Sequence, residues 1–356
     1  MMKPLSVGIL GATGMVGQRL ITLLENHPWF KVKILAASSR SAGKSYREAV
    51  EGRWRLTAPI PSSLADLSVY DVIDIAAITP LVDFVFSAID LDASAIFELE
   101  DQYAAAGIPV VSNNSAHRWT PDVPMIIPEI NPDHLDLISE QRKNRGWGKG
   151  FIVTKPNCSL QSYLPALAPL LKFEPESLFV TTMQAISGSG RLLANAPEIK
   201  DNVIPLPGEE EKSECEPRKI LGKLCNGRIE ESGLVIAAHC NRVATEDGHL
   251  AVVSVKFKNK PSIEQVLEAW QNWKPEPQAL RLPSAPDPCL IYCTGPDRPQ
   301  TKLDRDNGQG MSITLGRLRK CPLLDYRFSA LSHNTIRGAA GGAILTAELL
   351  HAKNYL

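Results

Sequence analysis

The stretch Gly8-Ile-Leu-Gly11-Ala-Thr-Gly14-Met-Val-Gly17 decides the fold class of this chain. It joins Leu5–Leu10, an apolar run typical of a buried strand, to Met15–Glu25, whose apolar residues recur at helical spacing. Glycines at such a turn allow a tight bend and let backbone N–H groups approach a pyrophosphate at the start of the helix. The spacing GxxGxxG differs from the usual GxGxxG fingerprint, and a purely structural turn is the alternative. The strand before it and the helix after it favour a dinucleotide site.

Two groups of residues are predicted to hold the dinucleotide. The first belongs to the glycine turn: Gly11, Thr13, Gly14, Met15 and Val16. The second follows the next predicted strand, Val32–Ala37, and consists of Ser38, Ser39, Arg40 and Ser41. A NAD-specific site usually carries Asp or Glu at this point, to bind the ribose 2′-hydroxyl. Hydroxyls beside a guanidinium suit a 2′-phosphate instead, so the sequence predicts NADP, with a solvated basic loop as the alternative.

Apolar runs alternate with helical patterns through the first part of the chain, which is typical of a parallel α/β sheet. Further elements are predicted there: strands at Asp83–Ile89, Pro109–Ser112 and Phe151–Thr154, and a charged helix at Pro132–Arg145. A helix is expected to start near Ser159, after which the β-rich runs become longer. These runs predict a mostly antiparallel second sheet: Leu178–Ala185, Leu234–His239, Leu250–Lys258 and Met311–Arg319.

The expected fold class is therefore α/β, with a Rossmann-type doubly wound parallel sheet plus an α+β domain whose sheet is mostly antiparallel. A charge-rich insertion, Ala194–Ile229, interrupts the second part. Asn334–Lys353 reads as a helix of Ala, Gly and Leu without a strong polar face, so we expect it to be buried against the first sheet. This predicts a discontinuous first domain, residues 1–157 plus 334–356, and a second domain, residues 158–333.

Composition limits the kinds of partner. With 38 basic and 39 acidic residues the formal net charge is −1, so no global positive field attracts nucleic acid or a membrane surface. The start of the chain does not resemble a secretory signal, and no apolar run approaches the roughly 18 residues of a membrane span. None of the seven cysteines falls in a CxxC pair, which predicts a reduced, cytoplasmic protein without a metal site.

One cysteine and one histidine are candidates for chemistry. Cys158 stands in Pro156-Asn157-Cys158-Ser159, where a predicted strand ends and a helix begins. Because a helix N-terminus stabilises negative charge, this position is expected to lower the pKa of the thiol; an inert buried cysteine is the alternative. His249 follows Asp247-Gly248 at the start of a predicted strand, where a turn glycine can aim an imidazole into a cleft, although a lone histidine is more often structural.

Ten segments, in family order, make the chain similar to the aspartate-semialdehyde dehydrogenases, within the branch found in archaea and fungi. They are Gly11–Gly17, Ala37–Lys44, Ser112–Arg118, Pro121–Asn131, Pro156–Ser159, Gln184–Gly190, Gly208–Lys212, Asn241–His249, Gly310–Arg319 and Asn334–Gly342. The resemblance implies reductive dephosphorylation of L-aspartyl 4-phosphate to L-aspartate 4-semialdehyde, with NADP and a cysteine thioester. This reaction belongs to the aspartate pathway to lysine, methionine and threonine.

The resemblance also implies a role for individual residues. Cys158 matches the nucleophile and His249 the general acid/base. Ser187, Gly188 and Asn334 match contacts to the nicotinamide half of the cofactor. The second domain would then be the catalytic and dimerisation domain of a homodimer or homotetramer.

The remaining matched positions belong to the substrate. Gln184 matches the residue that orients it, and Arg242 the arginine that grips its carboxylate. Arg118 and Lys212 match the groups that hold phosphate or the phosphoryl end, and Glu209 an acidic residue that contacts the amine. On residue type alone, a solvated charged face is the alternative for Glu209 to Lys212. The implied small molecules are aspartyl phosphate, inorganic phosphate and the semialdehyde.

Two positions depart from the family pattern, and two other functions stay open. Leu160 stands where the family usually has Thr, and Ser87-Ala88-Ile89-Asp90 replaces Ser-Ala-Leu-Pro. Neither departure removes a group that the chemistry needs.

One alternative is a sister enzyme with the same thioester chemistry, such as malonyl-CoA reductase or N-acetylglutamyl-phosphate reductase. The other is a non-catalytic NADPH sensor that kept the fold.

Overall fold

The computed structural model of the protein describes residues 3–356. Its first sheet is built from six strands: β1 (Leu5–Leu10), β2 (Phe30–Ala37), β3 (Val69–Asp71), β4 (Phe84–Ser87), β5 (Val110–Ser112) and β6 (Ile152–Thr154). All pairings are parallel and the order is β3-β2-β1-β4-β5-β6. Because the chain winds outward from β1 in both directions, this is the Rossmann-type doubly wound sheet, and the predicted fold class is confirmed for this half.

The helices of residues 3–356 vary widely in length. In chain order they are α1 (Met15–Leu23), α2 (Tyr46–Ala49), α3 (Ser62–Ala65), α4 (Ile75–Ile78), α5 (Ala93–Ala105), α6 (Leu137–Arg145), α7 (Leu160–Leu167), α8 (Pro207–Ile220), α9 (Ile263–Gln271), α10 (Glu276–Ala279), α11 (Thr301–Asp304) and α12 (Gly341–Ala352). The predicted helices after the glycine turn, at Pro132–Arg145 and near Ser159 are found, the second beginning as a 3-10 turn over Pro132–Asp136. None of these helices combines the length and apolar character that crossing a membrane requires.

The glycine turn brings β1, β4 and α1 close together. Gly11 has a φ of +85°, and a Cβ there would lie 2.1 Å from the carbonyl oxygen of Ala88, so only glycine fits. α1 begins after Gly14, and no side chain caps its first turn. The backbone N–H groups of that turn therefore remain available to an anion at the carboxyl edge of the sheet.

The second half contains β7 (Pro175–Gln184), β8 (Ile204–Pro205), β9 (Lys223–Cys225), β10 (Arg228–Glu230), β11 (Val235–Arg242), β12 (His249–Phe257), β13 (Leu290–Cys293), β14 (Ile313–Lys320) and β15 (Tyr326–Ser332). β9 and β10 form a separate hairpin, and the others form a seven-stranded sheet in the order β13-β14-β15-β12-β7-β11-β8. Only β13 with β14 and β11 with β7 pair in parallel, which confirms the mostly antiparallel prediction.

Six strands are absent from the sequence prediction: β3, β8, β9, β10, β13 and β15. β15 pairs with both β12 and β14, and its residues from Tyr326 to Ala330 do alternate apolar and polar side chains, but Leu331 ends the pattern after five residues. β3 has only three residues, too few for a period to be visible.

One face of the second sheet is buried and the other is open. Val180, Ile236 and Val253 point from neighbouring strands into a core that they share with α7 and α9. On the opposite face Phe179 is 43% exposed and Val235 is 66% exposed. The open face of this sheet therefore includes apolar side chains that the single chain leaves uncovered.

The segment predicted as one buried helix after Asn334 is divided in two. A π-helical turn, Ile336–Ala340, leads into α12, and all residues from Gly341 to Leu350 are buried. Ala343, Ile344 and Ala347 belong to the same core as Val7 and Ile9 of β1. The chain thus returns from the second sheet to fill the core of the first.

Candidate active site

A cavity of about 350 Å³ is lined by residues of both halves of the chain. Eleven residues singled out from the sequence line it: Met15, Val16, Arg118, Cys158, Gln184, Ser187, Gly188, Glu209, Lys212, Arg242 and Asn334. They come from segments that are far apart along the chain. Within residues 3–356 no cluster of three or more His, Cys, Asp and Glu side chains could hold a metal ion.

Cys158 lines this cavity and is in direct contact with His249, which is fully buried behind the lining residues. The Cys158 sulfur lies between β6 and α7 and is 3.4 Å from Nε2 of His249, the first residue of β12. The backbone N–H of Ala185 donates a 3.1 Å hydrogen bond to Nδ1 of the same ring. In the neutral imidazole the proton is therefore on Nε2, facing the sulfur, since Nδ1 must keep its lone pair for Ala185.

The charge states of this pair differ from the expectation for a thiol at a helix start. Burial, and next the negative charge of Glu209, raise the pKa of the Cys158 thiol, although Lys155, Arg118 and Arg242 oppose the shift. Burial, with the charge of Arg242, also lowers the pKa of His249 to about 3. The expected lowering of the thiol pKa is wrong for the free protein, because desolvation outweighs the helix terminus. The resting pair is a neutral thiol beside a neutral imidazole.

Asn334 fixes the position of the loops around the pair. Its Oδ1 accepts a 2.8 Å hydrogen bond from the N–H of Gly248, and its Nδ2 donates at 2.8 Å to Oγ of Ser187. A Cβ on Gly188 would lie 2.8 Å from Nη1 of Arg242 and 3.2 Å from the His249 ring. A larger residue at this position would displace the guanidinium of Arg242 and press against the His249 ring.

The two predicted substrate residues at strand ends also face the cavity. Gln184, the last residue of β7, is almost fully buried and its Nε2 donates to Oγ1 of Thr182 at 3.2 Å. Arg242, the last residue of β11, donates from Nη1 to the carbonyl oxygen of Ala185 at 2.6 Å. The rest of its guanidinium has donors free for a carboxylate, which suits the predicted role.

Helix α8 contributes a charged pair, Glu209 and Lys212. Oε1 of Glu209 accepts a 2.7 Å hydrogen bond from Nζ of Lys212, and its Oε2 accepts a 2.8 Å hydrogen bond from Nδ2 of Asn157. The Lys212 hydrogen bond, followed by its charge, lowers the pKa of Glu209 despite the opposing effect of burial. This carboxylate is thus ionised and held against the residue before Cys158.

The third predicted substrate-binding cation, Arg118, is 7% exposed. Its Nη1 donates at 2.8 Å to Oε1 of Glu216, and its Nε donates at 3.0 Å to the carbonyl oxygen of Lys155. The guanidinium still lines the cavity. Cations therefore approach Cys158 from α8 and from the segment after β5.

The comparisons with known proteins agree over nearly the whole chain. The family model "Semialdehyde dehydrogenase, NAD binding domain" matches residues 6–138, and "Semialdehyde dehydrogenase, dimerisation domain" matches residues 167–337. An aspartate-semialdehyde dehydrogenase of Archaeoglobus fulgidus is 46% identical, covering 97% of both chains. The Saccharomyces cerevisiae protein of the same name is 42% identical, covering 98% of both. This chain belongs to the aspartate-semialdehyde dehydrogenase family.

A solved structure of the family agrees with the fold. The Candida albicans aspartate semialdehyde dehydrogenase, crystallised with NADP, is 39% identical and superimposes with a TM-score of 0.89, covering 99% of this chain and 100% of that one. The membership predicted from ten segments and the two-sheet fold class are both confirmed.

The residues predicted for the dinucleotide divide into two groups. Met15 and Val16 line the cavity beside Cys158, whereas Gly11, Thr13 and Gly14 form the turn before α1. Ser38, Ser39 and Arg40 are exposed directly after β2, outside the cavity. Ser41 is buried, and its Oγ is 3.4 Å from Nη2 of Arg53. For a family member these positions remain predictions of where a dinucleotide extends.

The two departures from the family pattern lie away from the reacting groups. Leu160 opens α7 and is fully buried in the core of the second sheet, so an apolar side chain suits its position. Asp90 is exposed after β4. Neither residue lines the cavity around Cys158.

Four residues near the cavity were not predicted from the sequence to have a role. Lys155 is 3% exposed, its Nζ donates to the carbonyl oxygen of Pro156 at 2.7 Å, and burial lowers its pKa to about 7. Both side-chain polar atoms of Asn113 are buried without a partner where it lines the cavity. Asn157 and Glu216 complete the set. Only the position of Asn157 beside Cys158 signalled a role in the sequence.

Proposed function

We propose that this chain is an NADP-dependent aspartate-semialdehyde dehydrogenase that converts L-aspartyl 4-phosphate to L-aspartate 4-semialdehyde through a Cys158 thioester. The observation that carries the proposal is the 3.4 Å contact between the sulfur and Nε2 of His249, in a cavity that also presents Arg242 and Glu209. A carboxylate and an ammonium on the same substrate require one cation and one anion at such a site. Family membership supports the same reaction.

In the first step the Cys158 sulfur attacks the acyl carbon of the acyl phosphate. The C–S bond forms, the C–O bond to phosphate breaks, and the thiol proton leaves with the phosphate as hydrogen phosphate. Arg118 and Lys212 offset the negative charge that grows on the departing group. Since Nε2–H of His249 faces the sulfur, the ring donates a hydrogen bond to the thiolate as the thiol proton is lost.

In the second step NADPH, when bound, supplies hydride to the thioester carbonyl. The chain's residues hold the acyl group: Arg242 binds the α-carboxylate and Glu209 the ammonium. Gln184, buried at the end of β7, orients the carbonyl. Collapse of the tetrahedral species breaks the C–S bond and releases the aldehyde, and the thiolate, which accepts a hydrogen bond from Nε2–H of His249, takes up a proton from solvent.

The fold supports an NADP site at the carboxyl edge of the first sheet. A Cβ at Gly11 would fill the space of the turn, and the first turn of α1 has no side-chain cap, so its N–H groups suit a pyrophosphate. Arg40, exposed after β2, suits a 2′-phosphate. Ser187 and Asn334, hydrogen-bonded to each other beside Met15 in the cavity lining, would hold the nicotinamide half near Cys158.

A spectrophotometric assay in the oxidative direction tests the proposal. Aspartate semialdehyde, inorganic phosphate and NADP should together produce NADPH, and omission of phosphate should stop the reaction. Cys158→Ala should abolish turnover while NADP binding, measured by calorimetry, persists. Turnover near wild type in that variant would remove Cys158 from the mechanism, and no turnover in the wild type would remove the proposed reaction.

Two other functions are separable from this one. A malonyl-CoA reductase would turn over malonyl-CoA and not the semialdehyde, and it would have no use for the ionised Glu209 at an amine site. A non-catalytic NADPH sensor would bind the cofactor. Its Cys158 would lack the selective labelling by iodoacetamide that substrate blocks in an enzyme. The contact of Cys158 with His249 favours the enzyme.

We also propose a homodimer or homotetramer formed through the open face of the second sheet. Phe179, Val235 and Ala237 are apolar and exposed there, and exposed apolar residues grouped in this way commonly mark interfaces. The proposed division is a cofactor domain of residues 1–157 plus 334–356 and a catalytic and dimerisation domain of residues 158–333. Cytoplasmic location remains a prediction. Light scattering, with Phe179→Lys as the interface variant, tests the assembly.

A further inference from the structure

Glu216 joins two loops of the site without lining the cavity. Its Oε1 accepts a 2.8 Å hydrogen bond from Nη1 of Arg118, and its Oε2 accepts a 2.7 Å hydrogen bond from the backbone N–H of Asn157. The carboxylate is on α8 and is only 1% exposed. One side chain therefore fixes both the guanidinium of Arg118 and the backbone before Cys158.

Other residues on the same face of α8 also contact Asn157 and the segment that begins at Arg118. Glu209, Lys212, Glu216 and Lys219 follow helical spacing on α8. Glu209 accepts from the side chain of Asn157. Lys219 donates from Nζ to the carbonyl oxygens of Arg118, Thr120 and Val123, at 2.7, 3.1 and 3.0 Å.

We propose that Glu216 is a positioning residue for phosphate, since its carboxylate fixes the guanidinium of Arg118 relative to the backbone N–H of Asn157. This inference rests on the proposed function, in which Arg118 binds the phosphate or phosphoryl group. Of the five N–H groups of Arg118, Glu216 and the carbonyl of Lys155 each take one, and the carbonyl of Asn113 takes a third at 3.4 Å. The remaining two are thereby directed, and phosphate binding by a guanidinium depends on direction.

A purely electrostatic role for Glu216 predicts the opposite result. If its negative charge only weakens the field of Arg118, neutralising it should strengthen phosphate binding. If it positions the guanidinium, any change that prevents one carboxylate from reaching both partners should weaken phosphate binding, whatever its charge. Glu216→Gln removes the charge. Its side-chain NH₂ group would face either Nη1 of Arg118 or the N–H of Asn157, and both of these are donors. Glu216→Asp keeps the charge but is one methylene too short to reach both.

The experiment measures the KM for inorganic phosphate in the oxidative assay for Glu216→Gln, Glu216→Asp and the matched control Glu211→Gln. Glu211 is exposed on the same helix. We expect the phosphate KM to rise about tenfold or more in both Glu216 variants, since small misplacements of a binding group have effects of this size. The KM for NADP should stay within about twofold, and the control should behave like the wild type.

A double-mutant cycle identifies the route of the effect. In an Arg118→Lys background the guanidinium is absent, so Glu216→Asp should add little to the phosphate KM. Full additivity would show that Glu216 does not act through Arg118. A lower phosphate KM in Glu216→Gln with an unchanged one in Glu216→Asp would overturn positioning in favour of electrostatics. Failure of the wild type to turn over the semialdehyde would instead defeat the proposed function.

A readout without catalysis protects the inference against poor folding of one variant. Glu216→Asp keeps a carboxylate opposite Arg118, so it avoids leaving an unpaired buried charge and should fold. Phosphate should protect Cys158 of the wild type against iodoacetamide, and the concentration for half-protection should rise about tenfold in this variant. Equal half-protection concentrations in the two proteins would contradict the inference, even if turnover is lost.

Discussion

Arg242 and His249 are held by the same backbone residue: Ala185 accepts a hydrogen bond from Nη1 of Arg242 (2.6 Å) and donates one to Nδ1 of His249 (3.1 Å). The proposed carboxylate contact and the imidazole are thereby fixed relative to each other. The bond to Nδ1 leaves no room for a second proton on the ring. This agrees with the low pKa of His249, about 3, whose main causes are burial and the charge of Arg242.

The first prediction concerns the pH dependence of His249. A lowered pKa keeps the ring neutral at every pH above about 3, so its titration should contribute no step to kcat between pH 5 and 8. His249→Asn should lower kcat by about 10²–10³, because the thiolate loses the Nε2–H donor, without changing the shape of the profile. Stopped-flow measurement of NADPH formation over this range decides the matter. An acid limb near pH 6.5 that vanishes in the variant would show that the ring titrates as it does in solution.

The second prediction concerns the two charges that act on the thiol in opposite senses. The negative charge of Glu209 raises the pKa of Cys158 and the positive charge of Arg242 lowers it. Glu209→Gln should therefore speed alkylation by iodoacetamide at pH 7 by roughly threefold or more, and Arg242→Gln should slow it to a similar extent. The rate of inactivation is the measurement, with Glu211→Gln as the exposed control. Shifts in the same direction would contradict the assignment.

The third prediction tests the preference for NADP. Arg40→Ala should raise the Kd for NADPH about tenfold or more and leave the Kd for NADH within about twofold, because only the first ligand carries a 2′-phosphate. Fluorescence titration measures both. Arg47→Ala is the matched control. Arg47 is also exposed, but it lies on α2, and its Nε is 3.7 Å from Oδ1 of Asp66. Equal losses for both cofactors would place Arg40 outside the 2′-phosphate site.

The fourth prediction concerns a buried ion pair behind the site. Arg337, in the π-helical turn, is 1% exposed, and its Nη2 donates to Oε2 of Glu129 at 2.7 Å. Arg337→Met leaves a buried carboxylate without its partner, so the free energy of unfolding should fall by about 3–5 kcal/mol. Urea unfolding measures the loss. Lys353→Gln, which breaks the half-exposed pair with Glu276, should cost about 1 kcal/mol or less.

Local signals account for the parts of the fold that the sequence predicted well. Leu5–Leu10 and the turn at Gly11 are recognisable because apolar runs and glycine turns depend on neighbouring residues alone. β15 was missed although Tyr326 to Ala330 alternate apolar and polar residues, because so short a run is a weak strand signal. The meeting of Cys158 and His249 depends on packing between the two sheets. Only the family resemblance indicated it in advance.

Charge states and buried networks were the least predictable features. The helix start beside Cys158 suggested a lowered thiol pKa, but burial by distant segments reverses the direction. The run Glu209 to Lys219 resembles a solvated helix in sequence. Only its packing against the loops that carry Arg118 and Asn157 distinguishes the buried Glu216 from the exposed Glu211. The sequence of such a helix shows which residues are charged, but it does not show which of them the rest of the fold buries.

The return of α12 to the first sheet has a consequence for synthesis on the ribosome. The strand that begins this sheet emerges more than 300 residues before the helix that fills its core, and Asn334, which ties the loops of Ser187 and Gly248, emerges just before that helix. A nascent chain can thus have the strands of both sheets synthesised while the loops beside Cys158 still lack the residue that joins them. The surroundings of this sulfur are therefore among the last parts of the protein to be completed.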